Sequence, residues 1–223
     1  MKQLNYDEDI SEDEFSNKYI GKSAMYIILK RIIDCIFSVL GLIILSPVFF
    51  IISIIIKIDS KGPVLFKQIR VGKNGAEFGM YKFRSMVIDA ESQLEKLRNK
   101  NEMSGPMFKM KEDPRITKVG KFIRKTSIDE LPQLLNVIKG EMSLVGPRPS
   151  LPKEVSQFDE RYMKRLIVKP GLTCYWQVSG RNNIEFEEWM ELDLKYIRER
   201  STWIDMKLIF KTVLVMFKSD GAS

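Results

Sequence analysis

T-S-I-D-E-L-P-Q-L-L-N-V-I-K-G-E-M-S-L-V-G-P-R-P, residues 126 to 149, sets two adjacent carboxylates, Asp129 and Glu130, where a helix should begin. The stretch closes with an arginine held between two prolines, Gly146-Pro147-Arg148-Pro149. Leu131, Leu134, Leu135 and Ile138 follow the i, i+3, i+4, i+7 spacing of one helical face, and Gly140 after Lys139 is a stop signal. The carboxylates therefore fall at the positive end of a short helix. Two structural readings compete with a chemical one. Ser127 followed three residues later by Glu130 is a capping-box pattern, or Asp129 is itself the cap, with Pro132 in the first turn where its missing N–H is harmless.

The flanking sequence weighs toward chemistry. Residues 117 to 125, T-K-V-G-K-F-I-R-K, place Val119, Phe122 and Ile123 on one helical face and Lys118, Lys121 and Lys125 on another. Such a short basic amphipathic helix suits the interface of an anionic leaflet, and it delivers Arg124 five residues before Asp129. Earlier, Val64 to Arg70 and Phe78 to Arg84 flank Asn74-Gly75, the pattern of a β-hairpin. In Y-K-F-R, 81 to 84, strand alternation puts Lys82 and Arg84 on the face opposite Tyr81 and Phe83; solvated surface and a functional cationic pair fit that pattern equally. Met86 to Leu97 is helical in pattern. Beyond Pro149, Leu151 to Val168 reads as a helix ending at Lys169-Pro170-Gly171, and 173 to 182 as a short strand or loop whose Tyr175 and Trp176 read as packing residues ahead of stacking on a base or resting at the bilayer interface. Glu185 to Arg200 is an amphipathic helix, and Trp203 to Lys218 an interfacial one with Lys207, Lys211 and Lys218 on one face.

Cys35 to Ile56 contains no charge and, at about 1.5 Å per residue, is long enough for a hydrocarbon core of about 30 Å. Lysines rather than a small-residue cleavage site follow it, so it is not a cleavable signal. Lys30 and Arg31 flank one end and Lys57 and Lys61 the other, which retains both ends in the cytoplasm. Ser46-Pro47 interrupts the run, where proline breaks the ladder and the serine hydroxyl satisfies a freed carbonyl. These features predict a re-entrant helix-break-helix hairpin, against a kinked spanning helix as the other reading. Asp34, three and four residues after Arg31 and Lys30, is expected to pair with them and anchor the hairpin.

The resulting division is an acidic mobile tail over 1–22, a membrane hairpin over 23–60 and a cytoplasmic catalytic domain over 61–223. A net charge of +7 points to anionic partners: nucleic acid, a phospholipid surface or a phosphorylated small molecule. The basic residues do not form a recognition helix, so a nucleic-acid partner is not expected. No internal repeat, zinc pattern, P-loop or dinucleotide fingerprint is present. With no histidine in the chain, acid, base or nucleophile must come from other side chains. Cys35 and Cys174 suggest neither a disulfide framework nor a thiolate metal site, so a metal would be a hard cation held by carboxylates, magnesium (Mg²⁺) above all.

A pyrophosphate is recognised by cationic forks, a hard metal ion and a helix N-terminus. Aspartate can attack phosphorus and form an acyl phosphate, dividing one displacement into two. Two neighbouring carboxylates tend to hold a proton, which Mg²⁺ and Arg124 would counter by lowering the nucleophile's pKa. A membrane phosphatase or pyrophosphatase could use the same step, and a non-catalytic scaffold could use the hairpin and basic helices alone.

S-I-D-E-L-P-Q-L-L-N-V-I-K-G-E-M-S-L-V-G-P-R-P, taken with K-R-I-I-D, L-S-P, Q-I-R-V-G, Y-K-F-R-S-M, D-P-R-I-T-K-V-G-K-F-I-R-K and P-G-L-T-C-Y-W-Q-V-S-G-R-N, resembles the bacterial monotopic phosphoglycosyl transferases. These are polyprenyl-phosphate sugar-1-phosphate transferases that initiate exopolysaccharide, capsule, O-antigen or glycoprotein glycan assembly. The resemblance runs from about residue 27 to the end. It implies that a UDP-sugar gives its sugar-1-phosphate to a membrane polyprenyl (undecaprenyl) phosphate, releasing UMP through a covalent phosphosugar-enzyme intermediate, with Mg²⁺ as cofactor. By matching position, Asp129 is the nucleophile and Glu130 the metal ligand; Lys82, Arg124 and Arg148 grip phosphates; Arg181 and Asp193 line the sugar-nucleotide site. Ser46 and Pro47 form the break in the membrane hairpin. The implied fold is α+β, a small, mostly helical membrane-associated domain with a short β-hairpin, a re-entrant hairpin and interfacial helices. Its expected place is the cytoplasmic face of the inner (plasma) membrane, with a phospholipid bilayer and a second copy, as a homodimer, among its partners. Cys174 stands where relatives commonly have glycine, and an acidic tail stands where larger relatives carry spanning helices and a further domain, so the chain resembles the minimal form.

Overall fold

The structure, a computed structural model, describes residues 23–97, 99, 101–102, 108, 110, 112–179 and 184–218, without the side chains of 216–218. The acidic segment 1–22 and Arg181 lie outside the described residues.

Helix α1, Ala24–Asp59, opens at Ser23, whose hydroxyl accepts the Met25 N–H, and ends where the Ser60 N–H reaches the Ile56 carbonyl at 3.2 Å. It runs as one element through Ser46-Pro47. Pro47 has no N–H for the Ile43 carbonyl, and the Ser46 hydroxyl donates to that oxygen at 2.8 Å. One stripe of α1 faces the rest of the protein along its whole length, from Asp34 and Ser38 through Leu42 and Leu45 to Ile52 and Ile56. The other faces, with Ile36, Ile44, Phe50 and Ile58, stay exposed; only 11% of the apolar window is buried, so this is not the core helix of a water-soluble domain.

The polar anchors of α1 differ from the pairing expected within it. Lys30 crosses to Asp205 at 2.9 Å and to the Val145 carbonyl, while Arg31 caps the Val137 and Ile138 carbonyls at 2.6 and 2.7 Å. Asp34 accepts the Leu144 N–H and the Ser143 hydroxyl. Bonds across the fold satisfy buried backbone groups as well as the charges, which an exposed i, i+4 pair does not.

The expected hairpin is present: β1, Leu65–Val71, runs antiparallel to β2, Glu77–Phe83, around a 3-10 turn at Lys73–Gly75 in which Asn74 and Gly75 take φ of 56° and 79°. Helix α2 is Ala90–Leu97, shorter than its pattern because Met86 bridges to Ile116. Helix α3, Lys118–Lys125, is capped by the Thr117 hydroxyl, which accepts the Gly120 N–H at 2.9 Å; Ile123 is buried and Phe122 exposed.

After a 3-10 turn at Ile128–Gln133, α4 covers Leu134–Lys139 and stops at Gly140, whose φ of 83° glycine adopts without strain. A second, parallel sheet was not foreseen: β3, Ser143–Val145, pairs with β4, Gly171–Thr173. A Cβ at Gly171 would sit 2.1 Å from the Gly146 nitrogen, so the two glycines let these backbones touch.

Between those strands the helix expected over 151 to 168 is broken into α5, Pro152–Val155, α6, Glu160–Met163, and a 3-10 turn at Lys164–Ile167. Asp159 restarts the chain by accepting the Tyr162 N–H at 2.8 Å, a capping role that interrupts a longer helix. Tyr175–Val178 forms α7 rather than strand or loop; α8 is Phe186–Glu199 and α9 is Thr202–Lys218.

The main core joins β2, α4, β3, α8 and α9 through Met80, Val137, Val145, Tyr196, Ile197 and Leu208. A second cluster packs the far half of α1 on α3 and β2 through Ile52, Ile56, Ile123 and Phe83. A third is aromatic, with Phe186 and Trp189 against Phe158, Tyr162 and Trp176.

Candidate active site

The carboxylate pair lies in the 3-10 turn, not on the α-helix expected there. Pro132 withholds an N–H and disfavours helical geometry at Leu131, and Ser127 enters the turn in the left-handed region at φ 57°. Neither expected cap forms. Ser127 makes no side-chain cap bond, Asp129 is inside the turn, and the Glu130 carboxylate turns toward β2 and the Arg148 segment.

Glu130 is held from two sides. Lys82 Nζ donates to Oε1 at 2.8 Å, and Arg148 spans the carboxylate with 2.7 and 3.3 Å contacts. The bidentate fork fixes the arginine's plane as well as its position. These three side chains remain 15 to 23% exposed, so the clamp is open to a ligand from one side. Burial would raise the Glu130 pKa, but Arg148 and Lys82 outweigh it and hold the carboxyl well below the usual range.

Asp129 is 7% exposed, and its carboxylate has no hydrogen-bond or ion-pair partner among the described residues. Burial pushes its pKa up to about 6; Lys82 opposes this and Glu130 adds to it. Arg124, exposed on α3, counts for less than either, so Arg124 by itself does not bring about the lowering expected from it together with Mg²⁺. Two neighbouring carboxyls are thus driven apart, one firmly ionised and one close to neutral pH.

Arg148 is steadied from behind. Its guanidinium lies 5.8 Å from the ring centre of Trp176, which stacks on Trp189 at 4.4 Å. Arg70 donates to the Pro149 carbonyl at 3.1 Å, and Arg165 to the Arg148 carbonyl and the Ser150 hydroxyl, each at 2.7 Å. On the other flank, Asn136 ties α4 to β2, donating to the Gly79 carbonyl at 2.8 Å and accepting the Tyr81 N–H at 3.0 Å.

The structure therefore brings Lys82, Asp129, Glu130 and Arg148 together. Asp193 does not line an open face: it is fully buried against Arg165 at 2.5 Å. Arg84, on the strand face of Lys82, caps the end of α1 instead, donating to the Ser60 carbonyl at 2.6 Å. Arg70, Asn136 and Arg165 were missed. Arg70 lies in the Q-I-R-V-G motif and Asn136 in the motif over 127 to 149, whereas Arg165 sits in a segment that reads as ordinary helix.

This constellation can hold an anion against Lys82 and Arg148 and present a carboxyl oxygen to it. Residues 25–219 match the family model described as bacterial sugar transferase. The chain is 47% identical over 222 residues to the galactosyl transferase CpsE of Streptococcus agalactiae, covering 99% of this chain and 49% of that protein. It is 43% identical over 198 residues to the undecaprenyl-phosphate galactose phosphotransferase of Salmonella typhimurium, covering 87% and 41%. To the UDP-glucose:undecaprenyl-phosphate glucose-1-phosphate transferase of Escherichia coli it is 40% identical over 203 residues, covering 87% and 41%. The names of these relatives and of the family are those of transferases. The chain belongs to the bacterial sugar transferase family, and it spans half or less of the length of these three relatives.

Proposed function

We propose that this chain transfers sugar-1-phosphate from a UDP-sugar to polyprenyl (undecaprenyl) phosphate, releasing UMP, as the first membrane step of a bacterial surface glycan. The observation that carries this reading is the unpartnered Asp129 carboxyl beside a Glu130 clamped by Lys82 and Arg148. An Asp129 oxygen attacks the phosphorus that bears the sugar. The new P–O bond forms as the bond to the UMP oxygen breaks, and UMP leaves. An oxygen of the polyprenyl phosphate then attacks the same phosphorus, the acyl–phosphate bond breaks, and the Asp129 carboxylate is restored. Lys82 and Arg148 orient the diphosphate and neutralise its charge, with Arg124 adding field from α3.

Two adjacent carboxylates form a hard donor set suited to Mg²⁺, which takes one or two protein ligands and completes its shell with water and phosphate oxygens. Glu130, with Asp129 beside it, would hold the ion and share its oxygens with Lys82 and Arg148. The ion supplies further charge neutralisation on the diphosphate.

The relatives' names supply the UDP-sugar and undecaprenyl phosphate. The exposed apolar faces of α1 support a membrane protein. Its two ends dock on one body, Lys30 on Asp205 and Ser60 on Arg84, which supports a monotopic hairpin at the cytoplasmic face of the inner membrane rather than a crossing. The clamp surface faces the cytosolic donor in this reading.

The test is UMP release from a panel of UDP-sugars without lipid, with intact-mass measurement of the protein. The expected result is UMP release by the parental chain together with a mass increase of one hexose phosphate, and neither from Asp129→Asn. Free sugar phosphate as the main product in the presence of polyprenyl phosphate would instead identify a phosphatase.

A further inference from the structure

Taking the proposed transfer reaction as given, we propose that Arg165, held by Asp193, is a positioning residue that sets the orientation of Arg148. Arg148 sits in a turn, 146 to 149, that belongs to neither a helix nor a strand. Its guanidinium must nonetheless stay on Glu130. Something outside the turn has to hold its backbone.

Arg165 makes that connection. One arm of its fork donates to the Arg148 carbonyl and to Asp193, and the other to the Ser150 hydroxyl, so a single planar group spans the residues on both sides of Pro149 and an acid on α8. Arg165 is 3% exposed and Asp193 fully buried, and Phe158 and Trp189 lie 5.5 and 6.0 Å from the guanidinium. Across the turn the Val71 N–H donates to the Ser150 carbonyl and Arg70 to the Pro149 carbonyl. A buried ion pair that only fastened α8 to the 164–167 turn could be replaced by apolar packing at little loss. A guanidinium is required here because three acceptors from two segments must be met by one rigid fork.

Arg165→Lys keeps a positive charge opposite Asp193 but cannot span those acceptors. The experiment is a double-mutant cycle with Arg148→Lys, reading kcat/KM for UMP release from UDP-galactose and UDP-glucose with the full chain in membranes. Acting through Arg148, Arg165→Lys lowers kcat/KM tenfold or more in the parental chain and less than threefold when Arg148 is already lysine. An equal loss in both backgrounds, or no loss in either, overturns the positioning role. If Arg165→Lys is not recovered folded, Ser150→Ala, which removes one acceptor of the same fork, goes through the cycle with an expected two- to fivefold loss that again shrinks in the Arg148→Lys background. No UMP release by the parental chain overturns the reaction itself. An Arg148→Lys chain as fast as the parent overturns the part assigned to Arg148, and either result removes the positioning role with it.

Discussion

Lys82 and Arg148 are both committed to Glu130, so Asp129 is left buried with a neighbouring negative charge and a pKa pushed up to about 6. A nucleophilic carboxylate must be ionised, and kcat/KM reports the protonation of the free enzyme. The acid limb of the kcat/KM profile is therefore expected to fall through about pH 6, against the ordinary carboxyl value of 3.8. The same shift bears on stability with a definite sign. The folded state binds this proton more tightly than the unfolded chain, so the stability that protonated Asp129 lends is complete below about pH 4 and lost as pH rises through about 6. At roughly 1.4 kcal/mol per unit, the loss is on the order of 3 kcal/mol. Asp129→Asn cannot ionise. Thermal scans should show it melting above the parent at pH 7 and converging with it near pH 4, while the proposed role of Asp129 predicts no UMP release from it.

Element α1 is more than an anchor, because its first turns grip both ends of the catalytic stretch. Arg31 donates to the Val137 and Ile138 carbonyls of α4, and Asp34 holds β3 just before the Arg148 turn. Charged bonds of this kind contribute about 1.5–3 kcal/mol each, and removing the donor takes both away from a helix end. Arg31→Gln should therefore lower the melting temperature and slow UMP release at least several-fold while the protein still sediments with membranes. Full activity in that variant would separate the helix from the site. The parallel strands β3 and β4 do the corresponding work at the other end, since the Gly146–Gly171 contact places the Pro147-Arg148-Pro149 turn against the body of the protein.

For the whole molecule, the decisive feature is that α1 stays in contact with one body from Lys30 to Ser60 while its other faces are apolar and bare. A perpendicular crossing would carry one end away from that body. Cysteines introduced at Ser23 and Lys61 should thus react with a membrane-impermeant maleimide from the same side of the bilayer in sealed vesicles. Labelling from opposite sides would overturn the proposed hairpin in favour of a spanning helix. Phe122 on α3, and Trp203 and Phe210 on α9, add further exposed apolar side chains to the surface available to lipid.

Read as a sequence, the chain determines a good deal by local physics: the uncharged run that makes α1, the Asn74-Gly75 turn between β1 and β2, the Gly140 stop and the amphipathic pattern of α8 all follow from periodicity and backbone freedom. The motif set also named Lys82, Asp129, Glu130 and Arg148 by resemblance. Tertiary structure alone decided which carboxylate the cations would clamp, because Lys82 and Arg148 come from segments 48 and 18 residues from Glu130. It also moved Asp193 behind the site and revealed Arg165, whose partners lie 15, 17 and 28 residues away. Hydrophobic spacing records which face of an element is buried. Partner choice among buried charges depends on distances that only the assembled fold creates.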